Sequence, residues 1–293
     1  MPIGAIAELM TGGGVCLSFE VFPPKQAENF EAVSRAALEI AALQPSFMSV
    51  TYGAGGTTDR YTLAVAQEIQ EKHGLPALAH LTCIGADRAG VRARLEILRA
   101  AGVRNIMALR GDLPEGQMPA SDYPYAADLV AEIKAFGGFC VGAACYPEGH
   151  VECGSPAEDR RNLKKKVDAG ADFLTTQMFF DNDLLYKFLY QIREIGISAP
   201  VAAGIMPVTN GRQIARICRL SGTYLPARFR AIVDQYGDSP AAMQQAGIVY
   251  ACEQIVDLLA SGVNAIHVYS MNKPAVAAAI RDNLKHLIGE CAC

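Results

Sequence analysis

The sequence predicts an α/β fold, a closed (β/α)8 barrel of the TIM type with an extra helical stretch before its eighth strand, and three observations carry the prediction. Runs rich in β-branched and aromatic residues alternate with helical segments along the whole chain, the pattern of repeated βα units around a parallel sheet. The runs number eight, near residues 15–22, 47–52, 76–82, 104–109, 139–146, 172–178, 200–205 and 264–270. The joints between units also share one wording. "RAAGVRN", "VDAGADF", "REIGISA" and "LASGVNA" each read as a helix end, a glycine (Gly102, Gly170, Gly196, Gly262) and the entry to the next strand.

Gly12, Gly13 and Gly14 precede the first strand, so residues 1–14 read as a flexible N-terminal lead to a single barrel domain spanning 1–293. The first strand ends "CLSFEVFPP": period-two alternation puts Cys16, Ser18 and Glu20 on one face and Leu17, Phe19 and Val21 on the face that meets the helices. The second ends "SVTYGAGG", which makes Gly53-Ala54-Gly55-Gly56 a ligand-loop candidate. The third, fourth and sixth end "AHLTC", "MALRGD" and "TTQMFFD", and a helical stretch near 226–260 lengthens the crossover into the eighth. A doubly wound open sheet would place a glycine-rich phosphate loop directly after the first strand, and none stands there.

With 293 residues, 51% of them hydrophobic, the chain has ample material for a large core. A net charge of −4 and no basic run longer than Lys164-Lys165-Lys166 argue against nucleic acid. Apolar stretches stop well short of the roughly 20 residues a membrane span needs, and no basic leader opens the chain, so a cytoplasmic protein is expected. Nine scattered cysteines without a C-x-x-C pair read as free thiols, Cys291 and Cys293 lying in a tail. His150 and Cys153 have the spacing of half a zinc site but no second half, so no metal is expected.

Active sites of βα barrels sit where the strands end, which singles out Glu20, Thr51, His80, Arg110, Asp112 and Gln177. Glu20, with burial expected to raise its pKa, suits a general acid held by the stiff Phe22-Pro23-Pro24 turn, or a carboxylate paired to a cation. Arg110 and Asp112 share strand parity. They suit a phosphate fork and a ring-nitrogen acceptor, or a salt bridge with each other. His80 fits a base or a structural histidine, and Gln177 a heterocycle edge or a strand cap. After the fifth strand, Asp159, Asn162 and Lys166 fall on one face of a helix start, aimed at one ligand or simply solvated.

The stretches "SFEVFPPK", "SVTYGA", "AHLTCI", "ALRGDLP", "YPEGH", "NLKKKVDAGAD", "TTQMFFD" and "GIMPVTN", in this order, resemble the methylenetetrahydrofolate reductase family in its bacterial single-domain type, from about Val15 to His286. The resemblance implies a noncovalent FAD that takes a hydride from NADH or NADPH and passes it to 5,10-methylenetetrahydrofolate, giving 5-methyltetrahydrofolate for methionine biosynthesis. It makes Glu20 the acid that protonates the folate at N10, sets Asp112 between flavin and pterin, and has Gln177 orient the folate. Thr51, His80, Arg110, Gly111, Asp112, Tyr125, Ala126, Ala144, Tyr146, His150, Asp159, Asn162 and Lys166 match cofactor positions, Thr51 serving substrate as well. Two substrate positions depart from the enteric form: Ile217 replaces a phenylalanine and Lys273 an arginine, which leaves the electron donor open. The competing readings are a flavin-bearing subunit fed by an electron-transfer partner and a folate-binding methyltransferase. A homo-oligomer is expected by analogy, and no regulatory domain is expected behind the barrel.

Overall fold

Continuous inward and outward alternation closes this sheet, because every strand has apolar residues on its outer face for the helices and a graded set inside. The computed structural model describes residues 4–24, 26–52, 59–112 and 121–289. The strands are β1 (Cys16–Val21), β2 (Phe47–Val50), β3 (Ala77–Thr82), β4 (Asn105–Leu109), β5 (Cys140–Cys145), β6 (Phe173–Thr176), β7 (Val201–Ile205) and β8 (Ala265–Tyr269). They pair in parallel in chain order, and β8 returns to β1 to complete the predicted eight-stranded barrel. Each expected run exceeds its strand by one to three residues, because ladder pairing stops before the β-forming composition does.

Helices follow the strands: α2 (Phe30–Ala41), α3 (Asp59–His73), α4 (Arg88–Ala100), α5 (Ala126–Phe136), α6 (Pro156–Asp168), α7 (Asn182–Glu194), α8 (Gly211–Ser221) and α11 (Pro274–Ile288). Leu17, Phe19 and Val21 of β1 lie in the main core with Ile40 of α2 and Ile280 of α11, so the predicted outer face is the observed one. Inside the barrel the N-terminal layer is apolar, built from Cys16, Phe47, Leu78, Met107, Phe173, Ala202 and Ala265. Toward the strands' C-terminal ends it turns polar, with Ser18, Ser49, Thr175 and His267 all buried.

The expected flexible lead is replaced, over part of its length, by a helix α1 (Ile6–Thr11) packed beneath that apolar layer. Ile6 is fully buried and its backbone N–H donates to Asn105 Oδ1 at 3.0 Å. Burying Ile6 and Met10 contributes roughly 1.5–3 kcal/mol each, enough to order a short helix that composition alone does not favour.

The stretch anticipated at 226–260 is two helices, α9 (Ala227–Tyr236) and α10 (Pro240–Ala260). With α8 they form a shoulder whose core stacks Phe229 between Phe180 and Tyr250, ring centroids 5.0 and 4.2 Å apart. The approach is close enough to need glycine: a Cβ on Gly247 of α10 would lie 1.9 Å from Val208 O. The shoulder thereby buttresses the β6–β8 side of the barrel mouth.

Candidate active site

Strand register brings the acid candidate into a cage of neighbours. Glu20, near the end of β1, pairs in register with Ser49 of β2 and Tyr269 of β8. Its Oε2 lies 3.5 Å from His80 Nε2 and 3.5 Å from His267 Nε2. Each imidazole is held by a serine: Ser49 Oγ is 2.8 Å from His80 Nε2, and Ser18 Oγ is 2.8 Å from His267 Nδ1. The loop leaving β8 secures the backbone of this corner. Ser270 Oγ donates to Glu20 O at 2.6 Å, and the Asn272 side chain accepts from Phe22 N at 2.9 Å and donates to Phe22 O at 2.8 Å. That clamp accompanies two left-handed residues, Met271 and Asn272, both at φ 53°.

Burial was expected to raise the pKa of Glu20, and here the structure corrects the sequence. Desolvation is the largest influence and does raise it, but the hydrogen bond from His267, the positive potentials of His80 and His267, and Ser49 together outweigh burial and set it below the ordinary carboxylate value. Glu20 is therefore ionised in the ligand-free barrel, its side chain 19% exposed. Burial pushes His80 down, against the pull of Glu20.

The ends of β3 to β5 carry a second group. Tyr146, just past β5, stacks edge-on against His150 with centroids 4.6 Å apart, and Lys166 Nζ lies 5.7 Å from its ring centre. The Asp159, Asn162 and Lys166 face of α6 is not solvated. Asp159 is buried, and Lys166 Nζ donates to Ala144 O of β5 at 2.9 Å. Burial raises the Asp159 carboxyl and lowers the Lys166 ammonium, each countered in part by the other. Asn162 Nδ2 donates to Cys153 Sγ at 3.9 Å. Burial also takes the Tyr146 phenol up to about 12.

Arg110 does not form the salt bridge with Asp112 that was the alternative to a phosphate fork; its guanidinium takes Glu152 through Nη1 and Nη2, at 2.7 and 2.9 Å. The shared parity fails because β4 ends at Leu109 and Gly111 turns to φ +92°, where a Cβ would sit 2.6 Å from Ile84 Cγ2. Asp112 is exposed, close enough to act on the charge states of Arg110 and Tyr146. Tyr125, 68% exposed, occupies the N-cap of α5, with Ala126 buried behind it.

Across the mouth, Thr51 N donates to Val21 O at 2.9 Å. The Gln177 amide oxygen accepts from Met178 N at 3.0 Å. Ile217 of α8 packs against the core of the shoulder, and Lys273 Nζ donates to Thr209 Oγ1 at 2.6 Å, tying two strand-end loops together. Tyr269 donates to Thr176 O at 2.5 Å across the barrel. Gly204 makes this crossing possible, since a Cβ there would lie 2.8 Å from the tyrosine hydroxyl.

Sequence reasoning therefore missed His267 and Ser49 as partners of Glu20, Ser18 as the partner of His267, and Glu152 as partner of Arg110. The inward parity of "AIHVY" in β8 was the available signal for His267 and Tyr269. The Gly53–Gly56 loop and Cys291 with Cys293 lie outside the described residues. Among the described residues, no cluster of three or more His, Cys, Asp or Glu has metal-holding geometry, and no helix is long and apolar enough to cross a membrane.

Comparison with known proteins identifies the family. A family profile described as methylenetetrahydrofolate reductase matches residues 5–285. The 5,10-methylenetetrahydrofolate reductase of Pectobacterium carotovorum is 37% identical over 278 residues, covering 94% of this chain and 91% of its own. The enzyme of that name from Escherichia coli is 36% identical, covering 92% and 90%. A methylenetetrahydrofolate reductase (NADH) from Zea mays is 36% identical over 96% of this chain, which spans 50% of that relative's length. Among solved structures, an uncharacterized protein from Clostridium thermocellum that binds two copies of 5-methyl-5,6,7,8-tetrahydrofolic acid superposes with a TM-score of 0.62 at 13% identity, covering 95% of this chain and 98% of its own. That likeness is one of fold.

Proposed function

The chain belongs to the methylenetetrahydrofolate reductase family, and on that premise we propose that it reduces 5,10-methylenetetrahydrofolate to 5-methyltetrahydrofolate, using FAD held noncovalently at the barrel mouth and electrons from NADH or NADPH. The observation that carries the reading is a carboxyl group at the open end of the barrel, flanked at 3.5 Å by two imidazoles that are themselves fixed by serines. Such a corner is built to hold and release one proton.

The residues around β3 to β5 fit a flavin dinucleotide. Arg110, Lys166 and His150 gather cationic and donor groups about the Tyr146 ring, and the lowered Lys166 ammonium gains most from an anionic diphosphate. His80, Gly111, Asp112, Tyr125, Ala126, Ala144, Asp159, Asn162 and Thr51 complete the proposed cradle. A bound flavin supplies the hydride chemistry that none of the twenty side chains can perform.

Folate covering the mouth removes the remaining solvent from Glu20 and raises its pKa, so the carboxyl takes up a proton where it is needed, at the folate N10. Protonation there opens the five-membered ring of the substrate to an iminium that accepts hydride. In this reading Asp112 would hydrogen-bond the flavin and the pterin, and Gln177 would hydrogen-bond the pterin. Ile217 and Lys273 line the side where folate and nicotinamide alternate. The plant relatives bear NADH in their names, so NADH is the first donor to test.

The test is anaerobic. Purified protein is expected to be yellow after desalting, to bleach with NADH or NADPH, and to regain its colour on adding methylenetetrahydrofolate. Glu20→Gln is expected to keep the bleaching and lose the recovery by about 10²–10⁴-fold, the usual share of an acid catalyst. A colourless protein, or a reduced flavin indifferent to the folate, would refute the proposal.

A further inference from the structure

The partner of Glu20 that sequence reasoning did not single out has the more decisive geometry of the two histidines. His267 is 1% exposed, its ring near-parallel to Phe47 at 6.1 Å and edge-on to Tyr269 at 5.3 Å, so it has no room to turn. Ser18 selects the tautomer. The Ser18 hydroxyl has one proton and donates it to Ile266 O at 3.1 Å, which leaves its lone pairs to accept from His267 Nδ1–H at 2.8 Å. The other nitrogen, Nε2, is the one 3.5 Å from Glu20 Oε2.

We propose that His267 is a positioning residue that stores the proton for Glu20, its tautomer set by Ser18. The inference rests on the reading of Glu20 as the folate acid. In the resting site the imidazolium Nε2–H faces the Glu20 carboxylate. When folate closes the mouth, that proton passes from Nε2 to Oε2, the Nδ1–H stays on Ser18, and an ion pair becomes a neutral acid beside a neutral imidazole. Charge is conserved, and the buried corner holds no net ion that the ligand must desolvate. The other polar or titratable groups facing this pair are His80 and Ser49 from β3 and β2, and Tyr269 from β8, whose phenol burial and Glu20 hold well above its ordinary value. His80 differs in kind, because it offers the same Nε2 to Ser49 and to Glu20.

The discriminating experiment is the pH profile of each half-reaction in His267→Asn, whose amide still reaches toward Ser18 but offers Glu20 no Nε2. Flavin reoxidation by methylenetetrahydrofolate is expected to fall about 10²-fold at pH 8, in line with a lost proton donor, and to recover progressively toward pH 6 as bulk acid replaces the store. Flavin reduction by the nicotinamide should stay within about threefold, a change under roughly 0.7 kcal/mol. Parallel loss of both half-reactions, or a pH profile unchanged in shape, would overturn the proposal. Ser18→Ala is the second variant: it should shift the folate profile in the same direction by a smaller amount, and an unaltered profile counts against the tautomer argument. Independently of turnover, nitrogen-15 spectra of the histidine rings in ligand-free wild type should show one ring protonated at Nδ1 at every pH, with an Nε2 titration that moves in Glu20→Gln. A neutral Nε2–H ring at position 267 would contradict the assignment. If wild-type flavin is not reoxidised by the folate at all, the parent reading fails and the nitrogen-15 result alone decides the tautomer.

Discussion

Gly204→Ala tests how the middle of the barrel is closed. Gly204 N donates to Thr176 Oγ1 at 2.8 Å, so the glycine is pinned in its ladder position. A Cβ there would lie 2.4 Å from Thr176 O and 2.8 Å from both Cε2 and the hydroxyl of Tyr269. The first distance is roughly 1 Å inside an optimal non-bonded separation of about 3.5 Å, and two strand backbones cannot part by that much without breaking pairing. Overpacking of this kind costs about 1–3 kcal/mol. Displacing Tyr269 also gives up its 2.5 Å hydrogen bond to Thr176 O, about 0.5–1.5 kcal/mol more. The total, roughly 2–4 kcal/mol, corresponds to a loss of about 3–7 °C in melting temperature for a chain of 293 residues, measured by circular dichroism or calorimetry. Adding Tyr269→Phe relieves the hydroxyl overlap and should restore part of the loss. A melting temperature within a degree of wild type would show that the tyrosine does not cross the barrel at Gly204 and would refute the reasoning.

Two further expectations follow from charge burial. Lys166→Met removes the ammonium beneath Tyr146 and should raise the FAD dissociation constant by about 10–100-fold, the equivalent of one charged hydrogen bond, in a flavin-fluorescence titration. An unchanged affinity would assign the lysine to the fold alone. His80 has a folded pKa below its unfolded one, so the unfolded chain binds the proton first and stability falls as the pH drops below about 6.5. Glu20, also depressed, adds its loss only lower, below about 4.3, as the pH approaches its folded value. Thermal melts between pH 7.5 and 5 should therefore steepen through His80, and His80→Gln should flatten the slope. Equal slopes in the two proteins would contradict a buried neutral imidazole.

What the sequence disclosed follows from the range of the physics involved. The eight strands were legible because period-two burial and a repeated helix-glycine-strand joint are written within a few neighbouring residues. The inward face of β1 was legible for the same reason, and so was the shared face of Asp159, Asn162 and Lys166, although spacing could not say that Asp159 is buried. Glu20 stands on the inward face that parity gives it, but the direction of its titration was hidden, since it depends on His267, 247 residues away, joining His80 and Ser49 to outweigh desolvation. Arg110 illustrates the same limit at shorter range. Its partner, Glu152, sits in the loop between β5 and α6, and Gly111 leaves the strand conformation between Arg110 and Asp112, neither of which a parity argument sees. The helix at Ile6–Thr11 was hidden because only a buried surface beneath the barrel stabilises so short a segment.

That small helix has a practical consequence. It stoppers the end of the cylinder opposite Glu20, with Ile6 and Met10 seated under Phe47 and Phe173. A fusion partner or surface tether joined just ahead of α1 would leave from the sealed base, away from the end that holds Glu20. Trimming the chain back to β1, by contrast, would let water in under the aromatic floor, an injury to the foundation that no repair at the rim could offset.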